Sequence, residues 1–110
     1  MNVYDQAHDL ARAISESGEF KEFDRIRKEA EQDNDVTQML AEFHQLQIQL
    51  QTAQMTGNTP DQDMMSRMQS LGTMLATKPL AARYMQAEAA FTIMMNDVFG
   101  IIGEAVGLQQ

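Results

Sequence analysis

Cysteine is absent from the 110 residues, which excludes disulfides, thiolate nucleophiles and cysteine-ligated clusters and suits a reducing cytoplasm. Proline and glycine are scarce, at two and six, so few positions interrupt a regular backbone. Cations are outnumbered: eight Lys and Arg stand against sixteen Asp and Glu, a formal net charge of −8. A chain of that charge repels phosphate backbones and the anionic cytoplasmic leaflet, so no direct nucleic-acid or acidic-membrane partner is expected, and any role on RNA would be indirect. No run of about 18 apolar residues occurs. The opening MNVYDQAHDLARA is polar and amphipathic, without the apolar stretch of an export signal. A soluble, cytoplasmic protein is expected.

What the chain does contain is alanine, glutamine, glutamate, methionine and leucine, residues whose side chains lose little freedom in a helix. Strand signals are missing. Val3, Ala7, Leu10, Ala11 and Ile14 recur at three- and four-residue steps and predict an amphipathic helix over about 3–16. Ser17 then suits an N-cap, its hydroxyl accepting from the free amides of the next helix. That helix carries Phe20, Phe23, Ile26 and Ala30 on one face. Its other positions set opposite charges four apart: Asp24 with Lys28, Arg25 with Glu29, Arg27 with Glu31.

Asp33 is the next N-cap candidate. After it Val36, Met39, Phe43, Leu46, Leu50 and Ala53 keep a heptad seam for about 20 residues, which makes a rod about 30 Å long. Gly57 suits the left-handed position that ends a helix, and Thr59–Pro60 an N-cap followed by proline at the first helical position. Asp61 and Asp63 would then sit in a first turn, where the helix dipole favours negative charge. Met64, Met65, Met68, Leu71, Met74 and Leu75 extend the apolar face to about Thr77, where Lys78–Pro79 stops the helix. Leu80, Tyr84, Ala87, Phe91, Met94, Val98, Ile101, Ile102 and Ala105 mark a last helix of about 27 residues, with Gly100 and Gly103 weakening its final turns.

The expected fold is therefore all-α: one domain over 1–110, an antiparallel helical bundle or hairpin of about five segments with two long helices, completed by oligomerisation. Stripes this long exceed what so small a core can cover.

Chemistry-bearing residues are few. Met65, Met68 and His44 are soft or imidazole ligands of the type monovalent copper takes, yet the methionines follow apolar stripes, where they serve as flexible core filler and, for a minority, as interface. His8 and His44 are the only imidazoles. Glu42 and His44 do not project from one helical face, and the Glu-x-x-His pairs of di-iron bundles are missing. The acids lie mostly beside bases or at helix starts, so no carboxylate pair with separated pKa values is legible. Glu88, one step from the apolar stripe of the last helix, is the exception, as a buried hydrogen-bonding group or a solvated one. The stretch FTIMMNDVFGIIGEAVG is the most apolar. It lacks the cations of a membrane-surface helix, so burial against another helix is favoured. No catalytic, cofactor-binding or metal-binding residue is assigned, and no enzyme is expected.

Asn2-Val3-Tyr4-Asp5, Ser17 with Glu19-Phe20, Asp33, Phe43, Leu46-Gln47, Leu50-Gln51, Gln54-Met55 with Gly57, Ala87-Glu88 and Ile101-Ile102, in that order, resemble the YlbF/YmcA family of small all-helical bacterial proteins, and most its YheA-like branch. The resemblance covers nearly the whole chain. It implies a cytosolic, oligomer-forming protein without catalytic residues. Its members are associated with regulation of competence, sporulation and biofilm development, in some cases through a complex that modulates ribonuclease Y and messenger RNA processing. With no cysteine, this chain cannot supply thiolates to a cluster bound by such a complex.

The expectation is a non-enzymatic, self-associating regulatory protein, a homo-oligomer with a further protein partner. Its candidate interface is Phe43, Leu46, Leu50, Phe91, Met94, Val98 and Ile101. The alternative is a bundle that binds a small apolar ligand or metal in a methionine-lined cavity.

Overall fold

The computed structural model describes residues 2–108. Among them five helices follow one another with short connections: α1 (Val3–Ser15), α2 (Gly18–Ala30), α3 (Asn34–Met55), α4 (Gln62–Ala76) and α5 (Pro79–Ala105). There is no strand among the described residues. The all-α class and the two long helices, of 22 and 27 residues, match the spacing of the apolar residues.

The caps explain the boundaries. Asn2 opens α1, its side-chain oxygen accepting from the amides of Tyr4 and Asp5. Ser17 joins two helices with one hydroxyl: it donates to the Ile14 carbonyl at 2.6 Å and accepts from the Phe20 amide at 3.1 Å. Asp33 accepts from the Val36 amide, and Thr37 reaches back to the Ala30 carbonyl at 2.9 Å, fixing the corner between α2 and α3. α3 ends on Gly57 at φ 77°. There the Asn58 amide donates to the Ala53 carbonyl and the Gly57 amide to the Gln54 carbonyl, the paired bonds that satisfy the last carbonyls of a helix.

One boundary differs from the sequence reading. The cap of α4 is Asp61, whose carboxylate accepts from the Asp63 amide at 2.9 Å; Thr59 and Pro60 lie outside the helix. Asp61 has the shorter path to a free amide and an ionised acceptor, which is the stronger cap in the positive field of the first turn.

The chain's contacts gather into two compact units, one of residues 1–27 with 84–110 and one of 28–83; the expectation was of a single domain over 1–110. In the 28–83 unit, α3 packs on α4. Val36, Leu40 and Phe43 on α3 and Leu71 and Leu75 on α4 are the buried residues of these two helices, the last two with no exposed surface. In the other unit a ring cluster holds α2 to α5: Phe23 stacks on Phe91 with centroids 5.6 Å apart and meets the edge of Tyr84 at 5.4 Å, and Phe20 tilts against Phe91. Every buried side chain among the described residues is apolar. The nine described methionines are all half-buried or exposed, against the expectation that most fill the core. Leucines take the centre of α4, and the methionines flank them.

Candidate interaction surface

Leu46 and Leu50 continue the α3 stripe past Phe43 and are half-buried. Phe43 itself is 9% exposed. Its Cε1 stands close to α4, 3.7 Å from where a Cβ on Gly72 would lie. It therefore belongs to the core of its own chain, and its surface is already covered by α4. On α5, Phe91, Met94 and Val98 are half-buried and Ile101 is 68% exposed. The seven candidates thus divide: Phe43, Leu46 and Leu50 lie in the 28–83 unit, Phe91, Met94, Val98 and Ile101 in the other.

Along α5 the stripe loses its cover progressively. Ala87 is buried, Phe91, Met94 and Val98 are half-buried, and Ile102 and, just past the helix end, Val106 are exposed. Phe99 and Ile93 are exposed as well. On α1 no residue is buried, although its apolar stripe is the most regular in the chain; exposure rises from Ile14 through Leu10 to Val3. Sequence spacing located these stripes but not which parts a neighbouring helix covers.

The 28–83 unit holds a groove of about 590 Å³ lined by Phe43, Gln62, Met65, Ser66, Met68, Gln69 and Gly72. A second groove is lined by Asp35, Gln38, Met39, Glu42, Arg67, Met74 and Lys78. Its centre is an ion pair that spacing along one helix does not show. Arg67 Nε donates to Glu42 Oε2 at 2.7 Å and Nη2 to Oε1 at 2.9 Å. These hydrogen bonds hold the Glu42 carboxyl below its ordinary value of 4.5 and raise the Arg67 guanidinium above its own. Both groups are about half exposed, so the pair is screened by water and salt. Other ion pairs lie on the surface: Arg25 with Glu22, Arg27 with Asp24, Arg12 with Asp9, and Arg83 with Glu29 at 3.0 Å.

No three His, Asp or Glu side chains converge as a metal site among the described residues. Nor is any described helix long and apolar enough to cross a membrane. The chemistry the surface offers is apolar contact and exposed charge.

Comparison with known proteins agrees. Residues 3–107 match the family described as "Control of competence regulator ComK, YlbF/YmcA". A UPF0342 protein of Symbiobacterium thermophilum is 36% identical over 104 residues, covering 94% of this chain and 93% of that one. A UPF0342 protein of Clostridium novyi is 31% identical over 106 residues, covering 96% and 93%. Among solved structures, a protein of unknown function (DUF964) from Bacillus stearothermophilus superposes with a TM-score of 0.78 at 23% identity, covering 96% of this chain and 92% of that one. Bacillus subtilis RicA, solved in complex with RicF, gives a similarity of TM-score 0.62 at 21% identity, covering 96% and 93%.

Proposed function

Since the chain belongs to the YlbF/YmcA family of competence regulators, we propose that it is a non-enzymatic, cytoplasmic interaction protein that self-associates and serves as a subunit of a regulatory protein complex. The observation that carries the reading is the uncovered apolar surface on α1 and α5. Burying apolar area is the main favourable term in protein association, and monomers rarely leave such faces bare. Half-buried Leu46, Leu50, Phe91, Met94 and Val98 and exposed Ile101 are the proposed contact residues; Phe43 lies in the core of its own unit.

The family description points to control of competence. A link to sporulation or biofilm development through a ribonuclease-associated complex extends that description. The structure of RicA with RicF is a precedent for a protein of this fold in a complex with another protein. With its charge of −8, this chain would act on RNA only through such a partner.

A tagged pull-down from native cytosol, with and without nuclease, tests the reading. Nuclease-insensitive recovery of a ribonuclease or of family members supports it. Recovery only through nucleic acid, lost on nuclease treatment, would overturn the protein-complex reading.

The groove beside Phe43 favours a second reading, a small apolar ligand held between Met65 and Met68 with Gln62 and Gln69 at its rim. A thermal-shift screen of fatty acids and aromatic compounds, followed by native mass spectrometry, decides it. Absence of any shift or bound mass removes it.

A further inference from the structure

Along α4, Gln62, Ser66, Gln69 and Thr73 recur at steps of four, three and four, which puts them on one straight face of the helix. Ser66 and Gln69 line the groove beside Phe43 and also a further groove that continues to Ser70, Thr73 and Met74. The two join as one shelf, about 18 Å long from Gln62 to Met74 at 1.5 Å per residue. Its lining holds no Asp, Glu, Lys or Arg, in a chain of which 22% is charged. Depletion of charge together with accessible methionine is the composition of an interface centre, and Met65 and Met74 are each 44% exposed. Ser66, Ser70 and Gly72 are short, so a helix laid here approaches the α4 backbone closely.

Charge stands at the two ends of the shelf, with opposite sign. Asp63, exposed, lies one turn before Ser66 at the start of α4. Lys78, half-buried, follows Met74 by four positions and shares a groove with it. Neither has an ion pair among the described residues, while Arg67 on the flank is held by Glu42. Resting on the protein-complex reading above, we infer that the shelf docks an amphipathic helix of a different protein, antiparallel to α4 and about 15 residues long. It carries Asp or Glu in its first turn against Lys78, Lys or Arg in its last turn against Asp63, and a large apolar side chain in the groove beside Phe43.

The direction follows from the ends. Helices favour acids in the first turn and cations in the last, and only the antiparallel layout sets those cations over Asp63 and those acids over Lys78, about 22 Å apart along the shelf. It also opposes the two helix dipoles. No helix of this chain fits the description. α1 has Asp5 in its first turn and Arg12 in its last, but these lie only about 10 Å apart, and Arg12 is already paired with Asp9. α2 begins with Glu19 and ends near Lys28, yet its apolar side is taken up by buried Ile26 and Ala30 and by the stack of Phe23 on Phe91. α3, α4 and α5 have no cation in the last turn. The occupant is therefore a separate protein. A small molecule is held by a pocket that surrounds most of it, whereas three turns of shelf match the length of a helix.

Fluorescence anisotropy on the full chain tests the inference with two labelled alanine–leucine peptides of about 16 residues. They have identical composition and no net charge, one with Glu in the first turn and Lys in the last, the other reversed. The reversed peptide is the poorer helix, so the readout is how the ratio of the two affinities changes between wild type and the charge-swapped variant Asp63→Lys, Lys78→Glu. Expected is a fall of about fivefold or more in that ratio, smaller at high salt. Ser66→Lys keeps a good helix former and lays a long charged side chain across the shelf, so it is expected to weaken both peptides at least about tenfold, with helix content by circular dichroism unchanged. A ratio that the swap leaves unchanged, binding indifferent to Ser66→Lys, or no binding of either peptide would overturn the shelf; a protein partner still recovered in the pull-down would then leave the complex reading standing. Binding that occurs only by halving the mass of a homo-oligomer would give the shelf to a second copy and overturn the separate partner.

Discussion

Arg67 grips Glu42 with two parallel hydrogen bonds, 2.7 and 2.9 Å, and so ties α4 to α3 across 25 positions of sequence. The contact lowers the Glu42 pKa in the folded state. A lowered carboxyl contributes stability that is present above the unfolded value and is lost as pH falls through the folded one. Unfolding midpoints of wild type and Glu42→Gln, followed from pH 7 down to pH 3, are expected to converge as acid removes the pair. The raised Arg67 works in the opposite direction and acts only at strongly alkaline pH. Added salt should shrink the difference at pH 7, since both groups face water.

The ring cluster of α2 and α5 gives a second test. Phe91 touches both Phe20 and Phe23, and it is half-buried rather than sealed. Phe91→Ala is expected to cost about 2 kcal/mol, below the range for a fully buried phenylalanine, and Phe91→Leu less than half of that. Urea unfolding at one protein concentration measures both.

In the 28–83 unit the reference is Leu71, a fully buried residue of α4. Leu71→Ala is expected to cost about 3 kcal/mol, while Met65→Ala, on the exposed wall of the groove, stays within about 0.5 kcal/mol. A single cooperative transition in these experiments is expected of one domain over 1–110. Two transitions would mean that the two compact units unfold separately.

The caps of α3 make a third pair. Asp33→Ala removes the acceptor for the Val36 amide and is expected to cost about 1 kcal/mol. Gly57→Ala forces a side chain into the left-handed region at φ 77° and is expected to cost about 1 kcal/mol although nothing lies within 4 Å of the added carbon. Glycine is needed there for its backbone, not for space.

Much of this fold was legible beforehand because a helical stripe repeats locally. The spacing of Val3, Leu10 and Ile14, the caps at Ser17 and Asp33, Gly57 and the Lys78–Pro79 stop placed the five helices to within a residue or two. The start of α4 was missed because two cap candidates stand side by side, and only the bond from the Asp63 amide to Asp61 chooses between them.

Contacts between helices were not legible. The Phe23 stack on Phe91 and the Glu42–Arg67 pair depend on how far one helix slides along another, and no local repeat records that. The candidate interface shows the same limit. The stripe carrying Phe43 looked unpartnered until α4 was seen to cover it, whereas α1, whose stripe looked ordinary, proved to have nothing buried.

The most direct test of the central claim, that this is a self-associating interaction protein, is the solution mass of the unmodified chain by analytical ultracentrifugation from nanomolar to high micromolar concentration. The account expects a reversible rise from 12.4 kDa to twice that value, steeper at higher salt. A mass of 12.4 kDa throughout, with α1 still helical, would contradict it.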